Sequence, residues 1–587
     1  MSYYNNLNRI HLRRSKFTWL LMRTLALTIL ITGCVARTLP ATLTPSSPDI
    51  GIQRGGTVVL LIPEEPTSLN LYLAEAGIVR QVADAIIEGL VGFDPNGQYY
   101  PVLAAELPTR ENGGISENFL IITWRLKPGL NWSDGEPITS DDIKFTWEAI
   151  SNPESGAMQT GGFSLIDRIE TPDELTAVVY YKQFYVGYLG QFRLGVIPRH
   201  AAGAPADMLK WEWNRAPVAS GAFMVDEWIP GQRITMKPNP YYREEGKPYL
   251  SRLEFRIVPA YETQLAMMKS GEAHVQVWPA ESKTEWDRIM EGMAEQVVVP
   301  GLWNMEMNFN LSRPYDGDPG PNPPHPILGD LRVRQAIAYG INYDYIINDV
   351  MRGEVLPSYS PFEYGWYKCD IQRPYPTDIN KAKVLLDEAG WIDEDDGDGI
   401  RECHGCLYAE EGTRLRLQLL GFSYDPDLQR TEEAIVEQMK AIGIEMYIQN
   451  EDFSVIFGSW SDRAPRKTGD FDIQIYDGLV EAEPQDTVIS QWRSDQIPSA
   501  ENPEGRNYFR WVSQEADEAI SRAGSTPDLN ERKEAYCILA AEINKDLPNL
   551  YLYLMKDGYG FNKKLHGYVV STWGSMTWDV ANWWVEH

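Results

Sequence analysis

The chain has 587 residues, with 53 Lys and Arg against 83 Asp and Glu, a net charge of −30, and 5 Cys. Such an acidic balance repels phosphate backbones and anionic headgroups, which argues against nucleic-acid binding and against attachment to a membrane by charge. The length exceeds what one hydrophobic core usually serves, so two or three domains are expected, and no apolar run beyond the N-terminal region approaches the roughly 20 residues of a spanning helix.

Arg9, Arg13, Arg14 and Lys16 precede an apolar segment from Phe17 to Ile31, interrupted by Arg23 and ending in Ile31-Thr32-Gly33-Cys34. A basic leader before a short apolar stretch is the pattern of a secretory signal peptide, here residues 1–33. Its ending is similar to a bacterial lipobox, in which small residues precede a cysteine that is lipidated and becomes the new N-terminus. The other reading is an ordinary signal peptide with an incidental Cys34. Pro, Ser and Thr dominate from Thr38 to Pro48, so residues 34–54 read as lipid anchor and extended tether. Removal of the leader leaves 48 bases against 83 acids, a charge of −35.

Beyond the tether, Thr57 to Ile62 reads as a strand and Ile78 to Leu90 as a helix. Ile122, Trp124 and Leu126 alternate with Thr123, Arg125 and Lys127, the period of a strand with one buried face, which Pro128-Gly129 stops. Asp134-Gly135-Glu136-Pro137 is a second turn. Thr139 can then cap a helix with Asp142 three residues on, and Ile143, Trp147 and Ile150 share a helical face. A strand follows from Leu175 to Tyr181 and another from Leu253 to Val258. Tyr261 to Lys269 reads as a helix closed by Gly271, where a left-handed cap is needed. Arg414 to Leu420, Ile444 to Ile448 and Phe471 to Tyr476 read as strands, with helices at Leu428 to Ile442 and Asp452 to Trp460 between them. The alternation predicts an α/β fold with largely parallel pairing.

The segment Ile122–Ile150 resembles the signature region of the extracytoplasmic solute-binding proteins of family 5, the receptors of peptide, dipeptide and nickel ABC importers. Further matches follow in family order: Gly55-Gly56-Thr57 with Glu65-Pro66-Thr67-Ser68-Leu69-Asn70, Glu88-Gly89-Leu90, Asn239-Pro240-Tyr241-Tyr242, Ser270-Gly271-Glu272, Val333-Arg334-Gln335-Ala336-Ile337, and Glu388-Ala389-Gly390-Trp391. The resemblance implies a bilobal, periplasmic-binding-protein-like fold. Domain I would comprise 55–88, 205–302 and 550–587, domain II 89–204 and domain III 303–549. Met307–Leu311 and Leu550–Leu554 would hinge the lobes. It also implies a monomer on the extracytoplasmic face of the envelope that delivers a peptide or similar-sized solute to an ABC permease and its ATPase. No cofactor or chemistry is needed. The sequence has no G-x-S-x-G, H-E-x-x-H or P-loop motif, so the competing class, a secreted hydrolase, rests only on export and abundant aromatics.

Carried over position by position, the family's ligand-facing residues map to Thr67, Ser68, Leu69 and Asn70, to Trp303, and to Ser358, Tyr359 and Ser360, with Trp460 and Trp492 as pocket walls; core packing is the other reading for any single Trp. Relatives that bind peptides pair an acidic residue before a Pro with the ligand's amino group. The corresponding segment is Tyr476-Asp477-Gly478-Leu479-Val480-Glu481-Ala482-Glu483-Pro484, where Val480 stands at the acidic position and Glu481 beside it. Loss of that acid would disfavour a zwitterionic peptide and favour an oligosaccharide. The other reading makes these acids a solvated loop.

Glu394, Asp396, Asp398 and Glu402 interleave with Gly397 and Gly399, similar to calcium loops, with Ile400 able to offer its carbonyl; a structural calcium and a plain acidic turn are both open readings. Cys403-His404-Gly405-Cys406 lacks the four ligands zinc requires, and outside the membrane a short disulfide between Cys403 and Cys406 is the better reading. Cys369 and Cys537 either pair or are buried thiols.

Overall fold

The computed structural model describes residues 51–587 except 75, 281, 314–322, 394–397 and 423–425. The expected leader, Cys34 and the tether to residue 50 therefore lie outside the described residues, as do Glu394 and Asp396. Gln53–His587 folds as one unit around an eleven-stranded sheet. Its strands run in the order Glu445–Glu451, Arg416–Phe422, Ile473–Leu479, Ala294–Phe309, Asn549–Asn562, Val275–Val277, Thr57–Ile62, Arg252–Ile257, Arg233–Pro238 and Phe223–Ile229, with Val355–Pro357 also paired to Asn549–Asn562.

Pairing corrects the expectation of a largely parallel sheet. Thr57–Ile62 is parallel to both its neighbours, and so is Arg416–Phe422, but every other pair is antiparallel. Two causes are visible. A short turn containing Gly231 at φ 69° folds Phe223–Ile229 back on Arg233–Pro238. The chain also leaves one lobe along Ala294–Phe309 and returns along Asn549–Asn562, which forces those long strands to oppose each other.

Two cores flank this crossing. One gathers Met307, Phe309, Ile337, Leu417, Leu419, Ile435 and Ile473. The other gathers Leu60, Ile86, Trp124, Ile143, Phe192 and Phe255. Val488, Ile520 and Leu539, from the helices Gln485–Trp492, Gln514–Ala523 and Leu529–Asp546, belong with Phe362 and Tyr367 to the second core, so residues 303–549 contribute to both. Between the cores, strand register slips from Pro300 to Asn304 and again from Met305 to Glu306. A bulge of this kind bends its strand and re-aims side chains. The irregular stretch therefore precedes the Met307–Leu311 segment expected to hinge, and Met307 and Phe309 sit fully buried in a regular ladder.

Residues 121–150 fold as their pattern predicts. Ile122, Trp124 and Leu126 are buried, and Ile121–Arg125 pairs with Thr176–Tyr181 in a separate three-stranded antiparallel sheet. The Thr139 amide donates to Asp142 Oδ2 at 2.9 Å to open the helix Ser140–Ile150. Two expected helices are shorter than predicted. The first ends at Ala83. Gly89 beyond it passes so close to the Arg193 carbonyl that a Cβ would lie 2.3 Å away, an approach a helix through Leu90 would not allow. Only Phe453–Ile456 is helical in the second. There Ser459 and Asp462 hydrogen-bond each other's backbone amides, and such local bonds compete with helix.

Candidate functional site

A cavity of about 760 Å³ opens between the lobes. Tyr72, Tyr99, Phe163, Tyr185, Gln191 and Arg193 form one wall; Leu479 to Glu483, Asp486, Thr487 and Arg506 form the other. The Tyr185 hydroxyl reaches across to Asp486 Oδ2 at 3.3 Å.

The second wall is the end of the strand Ile473–Leu479 and the turn into the helix Gln485–Trp492. Its backbone is pinned from behind: Trp366 Nε1 donates to the Ala482 carbonyl at 2.9 Å, and the Tyr367 hydroxyl to that of Glu481. Glu483 has a counter-ion built in, because the fully buried Arg532 guanidinium donates to both its oxygens. Glu481 has no ion pair of that kind; Arg506, on the same wall, draws its carboxyl down only weakly. Thr487 Oγ1 donates to it, but burial raises its carboxyl above the usual range, and Asp486 and Glu483 push it further in the same direction. Desolvation also raises Asp486. Glu481 and Asp486 on this wall are desolvated acids that no salt bridge among the described residues holds.

The first wall is complementary. No carboxylate pairs with Arg193, and desolvation, with Arg80 adding, lowers its guanidinium to about 10. Beside it, the buried Tyr99 hydroxyl and Gln191 Nε2 have no hydrogen-bond partner. Orphaned buried donors are costly and are usually met by protein or water, so two of them beside the Arg193 guanidinium on one cavity wall mark a place for an acceptor-rich group.

Residues 98–499 match the family of bacterial extracellular solute-binding proteins, family 5 (Middle). The chain belongs to that family. It is 25% identical over 549 residues to the oligopeptide-binding protein AppA of Bacillus subtilis, covering 91% of this chain and 92% of AppA. The fold is similar to that of the same AppA solved with a nonapeptide, at a TM-score of 0.63 and 22% identity, covering 92% of this chain and all of that one. It is also similar to NikZ from Campylobacter jejuni solved with Ni(L-His), at 0.66 and 21%, covering 90% and 99%.

In this family 5 receptor the residues carried over by resemblance divide sharply. Leu479 and Glu481 line the cavity, and Gly478 lines a small recess beside it together with Trp492, which is buried and stacked on Phe509. Asp477 is half-buried on the same strand. Ser68, Leu69 and Asn70 are buried in a hydrogen-bonded turn. Ser68 Oγ accepts from the Asn70 amide, Asn70 Oδ1 accepts from the Tyr72 amide, and Asn70 Nδ2 donates to Asn214. None of them, nor the exposed Thr67, lines the cavity; the turn instead positions Tyr72, which does. Ser358 is fully buried and donates to Asn304, Ser360 accepts from the Phe362 amide, and Tyr359 lies under Arg373. Trp460 sits on a half-buried turn outside the cavity, and Trp303 lines a neighbouring pocket. Arg193 could have been noticed in the sequence as the lone charge between Lys182 and Arg199. Tyr99 and Gln191 carry no such mark.

In the acidic loop, Asp398 accepts from the Ile400 amide and pairs with Arg414 at 2.6 Å, while Glu402 lies in a short strand against Trp391–Ile392. Among the described residues no three His, Cys, Asp or Glu side chains converge as metal ligands. Cys403 is bonded to Cys406, and Cys369 to Cys537.

Proposed function

We propose that this protein is the receptor of an ABC importer for peptides, which it takes between its lobes and hands to a permease without altering them chemically. The observation that carries the reading is Glu481: a carboxylate at the cavity wall, desolvated, flanked by acids and without a salt bridge among the described residues, Arg506 acting on it only weakly. A ligand ammonium would supply that cation, and the Tyr99, Gln191 and Arg193 donors opposite would receive carbonyls or a carboxylate. Glu481 would thereby restore the charge that Val480 takes away. An oligosaccharide could stack on the aromatic lining, but it would leave both Glu481 and Arg193 uncompensated.

Native mass spectrometry on protein incubated with equimolar peptide and oligosaccharide pools tests the ligand class. Retained peptides are expected, with a smaller radius of gyration in solution scattering; retention of sugars alone would overturn the reading. As for the envelope, we propose attachment through lipid on Cys34, supported by the lipobox-like ending and the tether composition. Cys34→Ala should release the protein into the medium or the soluble extracytoplasmic fraction. A variant that stays with the membrane after a carbonate wash would contradict lipid anchoring.

A further inference from the structure

A second pocket, of about 490 Å³, adjoins the cavity and shares Leu302 and Arg80 with it. It is built by the register slip between Pro300 and Asn304, which turns Trp303 outward to 42% exposure. Trp278 faces the same space. Its indole hydrogen-bonds the Tyr559 hydroxyl and lies over Gly77, where a Cβ would meet the ring at 3.4 Å. Trp278 also holds φ at 50°, a left-handed backbone that is strained for so bulky a residue.

Asp557 lines the same pocket, packed against Gly301. The cations near it are engaged elsewhere: Lys556 Nζ donates to the Gly353 carbonyl at 2.6 Å, and Arg80 pairs with Asp84 and donates to the Trp573 carbonyl. Among the described residues the Asp557 side chain has no hydrogen-bond or ion-pair partner, and burial raises its carboxyl to about 6, so it is charged above neutral pH. Aromatic faces attract cations, and an unpaired, desolvated carboxylate does so more strongly.

We infer that the pocket of Trp278, Trp303 and Asp557 receives a cationic side chain, an ammonium or guanidinium, from the part of a bound peptide that extends past Leu302. The assignment rests on the peptide reading of the main cavity and adds a preference to it.

The test is competition at pH 8 among synthetic hexapeptides that carry lysine, arginine or norleucine at one position and are randomised elsewhere, read by native mass spectrometry. The wild type should retain lysine and arginine peptides over norleucine ones by roughly tenfold, the scale of one well-placed cation–aromatic contact with a carboxylate. Asp557→Asn should bring the ratio near one while total peptide capture is unchanged, and Trp303→Ala should lower it. Glu501→Gln, which removes an exposed acid elsewhere, should leave the ratio as it is and so separates the pocket from the general acidic field. An equal ratio in wild type and Asp557→Asn overturns the pocket alone. Capture of no peptide by the wild type overturns the reading of the main cavity, and this inference with it.

Discussion

The turn at Ser68–Asn70 and the turn at Val480–Glu483 make an instructive pair. Both are polar, half or fully buried, and fixed by hydrogen bonds to distant parts of the chain. In the first, the polar groups answer one another: Asn70 meets both Asn214 and the Tyr72 amide, and nothing is left for a solute. In the second, the backbone is held by Trp366 and Tyr367 and Glu483 by Arg532, but Glu481 faces a cavity with no salt bridge among the described residues. What separates the two turns is burial and charge: the first is fully buried and internally satisfied, the second is half-buried and leaves a desolvated carboxylate toward the cavity.

Breaking the internal pair should have the largest effect on stability. Arg532→Met leaves Glu483 buried without its cation, and loss of about 3–5 kcal/mol in denaturant unfolding is expected, most of it restored by adding Glu483→Gln. If Arg532→Met alone is as stable as the parent, Glu483 is not the satisfied acid described here.

Glu306, on the crossing strand, sharpens the comparison through pH. It is 4% exposed, accepts from Asn308 and Asn549, and burial raises its carboxyl to about 7. A folded value above the unfolded one near 4.5 means that the native state holds the proton more tightly. Stability should therefore fall as pH rises from about 4.5 to about 7. Glu306→Gln should flatten that fall and exceed the parent at pH 8 by on the order of 3 kcal/mol. Melting curves with the same pH slope in both proteins would contradict the assignment.

Asn70→Ala should cost about 1–3 kcal/mol by orphaning Asn214 and the Tyr72 amide. If its effect on solute affinity exceeds its effect on stability, as read by calorimetry and denaturant unfolding, the Ser68–Asn70 turn contacts the solute after all.

Why one turn was easier to read than the other follows from the range of the interactions. Ile122–Ile150 is legible because its signals are local: alternation in the strand, Pro-Gly and Asp-Gly turns, and Thr139 three residues before Asp142. The two crossing strands were legible only by resemblance, since 243 residues separate Glu306 from its partner Asn549, and no periodicity carries a register slip. Of the residues carried over by resemblance, Glu481 and Leu479 line the cavity, because the segment before Pro484 ends a strand at its wall. Ser68 and Asn70 lie off the cavity in a hydrogen-bonded turn, and the bond from Asn70 to Asn214 is invisible in a linear pattern. The donor wall was not found: Tyr99, Gln191 and Arg193 come together only once the small lobe is folded.

The desolvated charge of Glu481 is what a solute's ammonium would meet. Calorimetric titration of a peptide retained by the wild type into Glu481→Gln measures it directly. Affinity should fall by roughly 2–5 kcal/mol, the usual cost of truncating one partner of a buried charged pair, with the fold intact by circular dichroism. Undiminished binding of that peptide to Glu481→Gln would contradict the claim that this carboxylate anchors the solute's amino group.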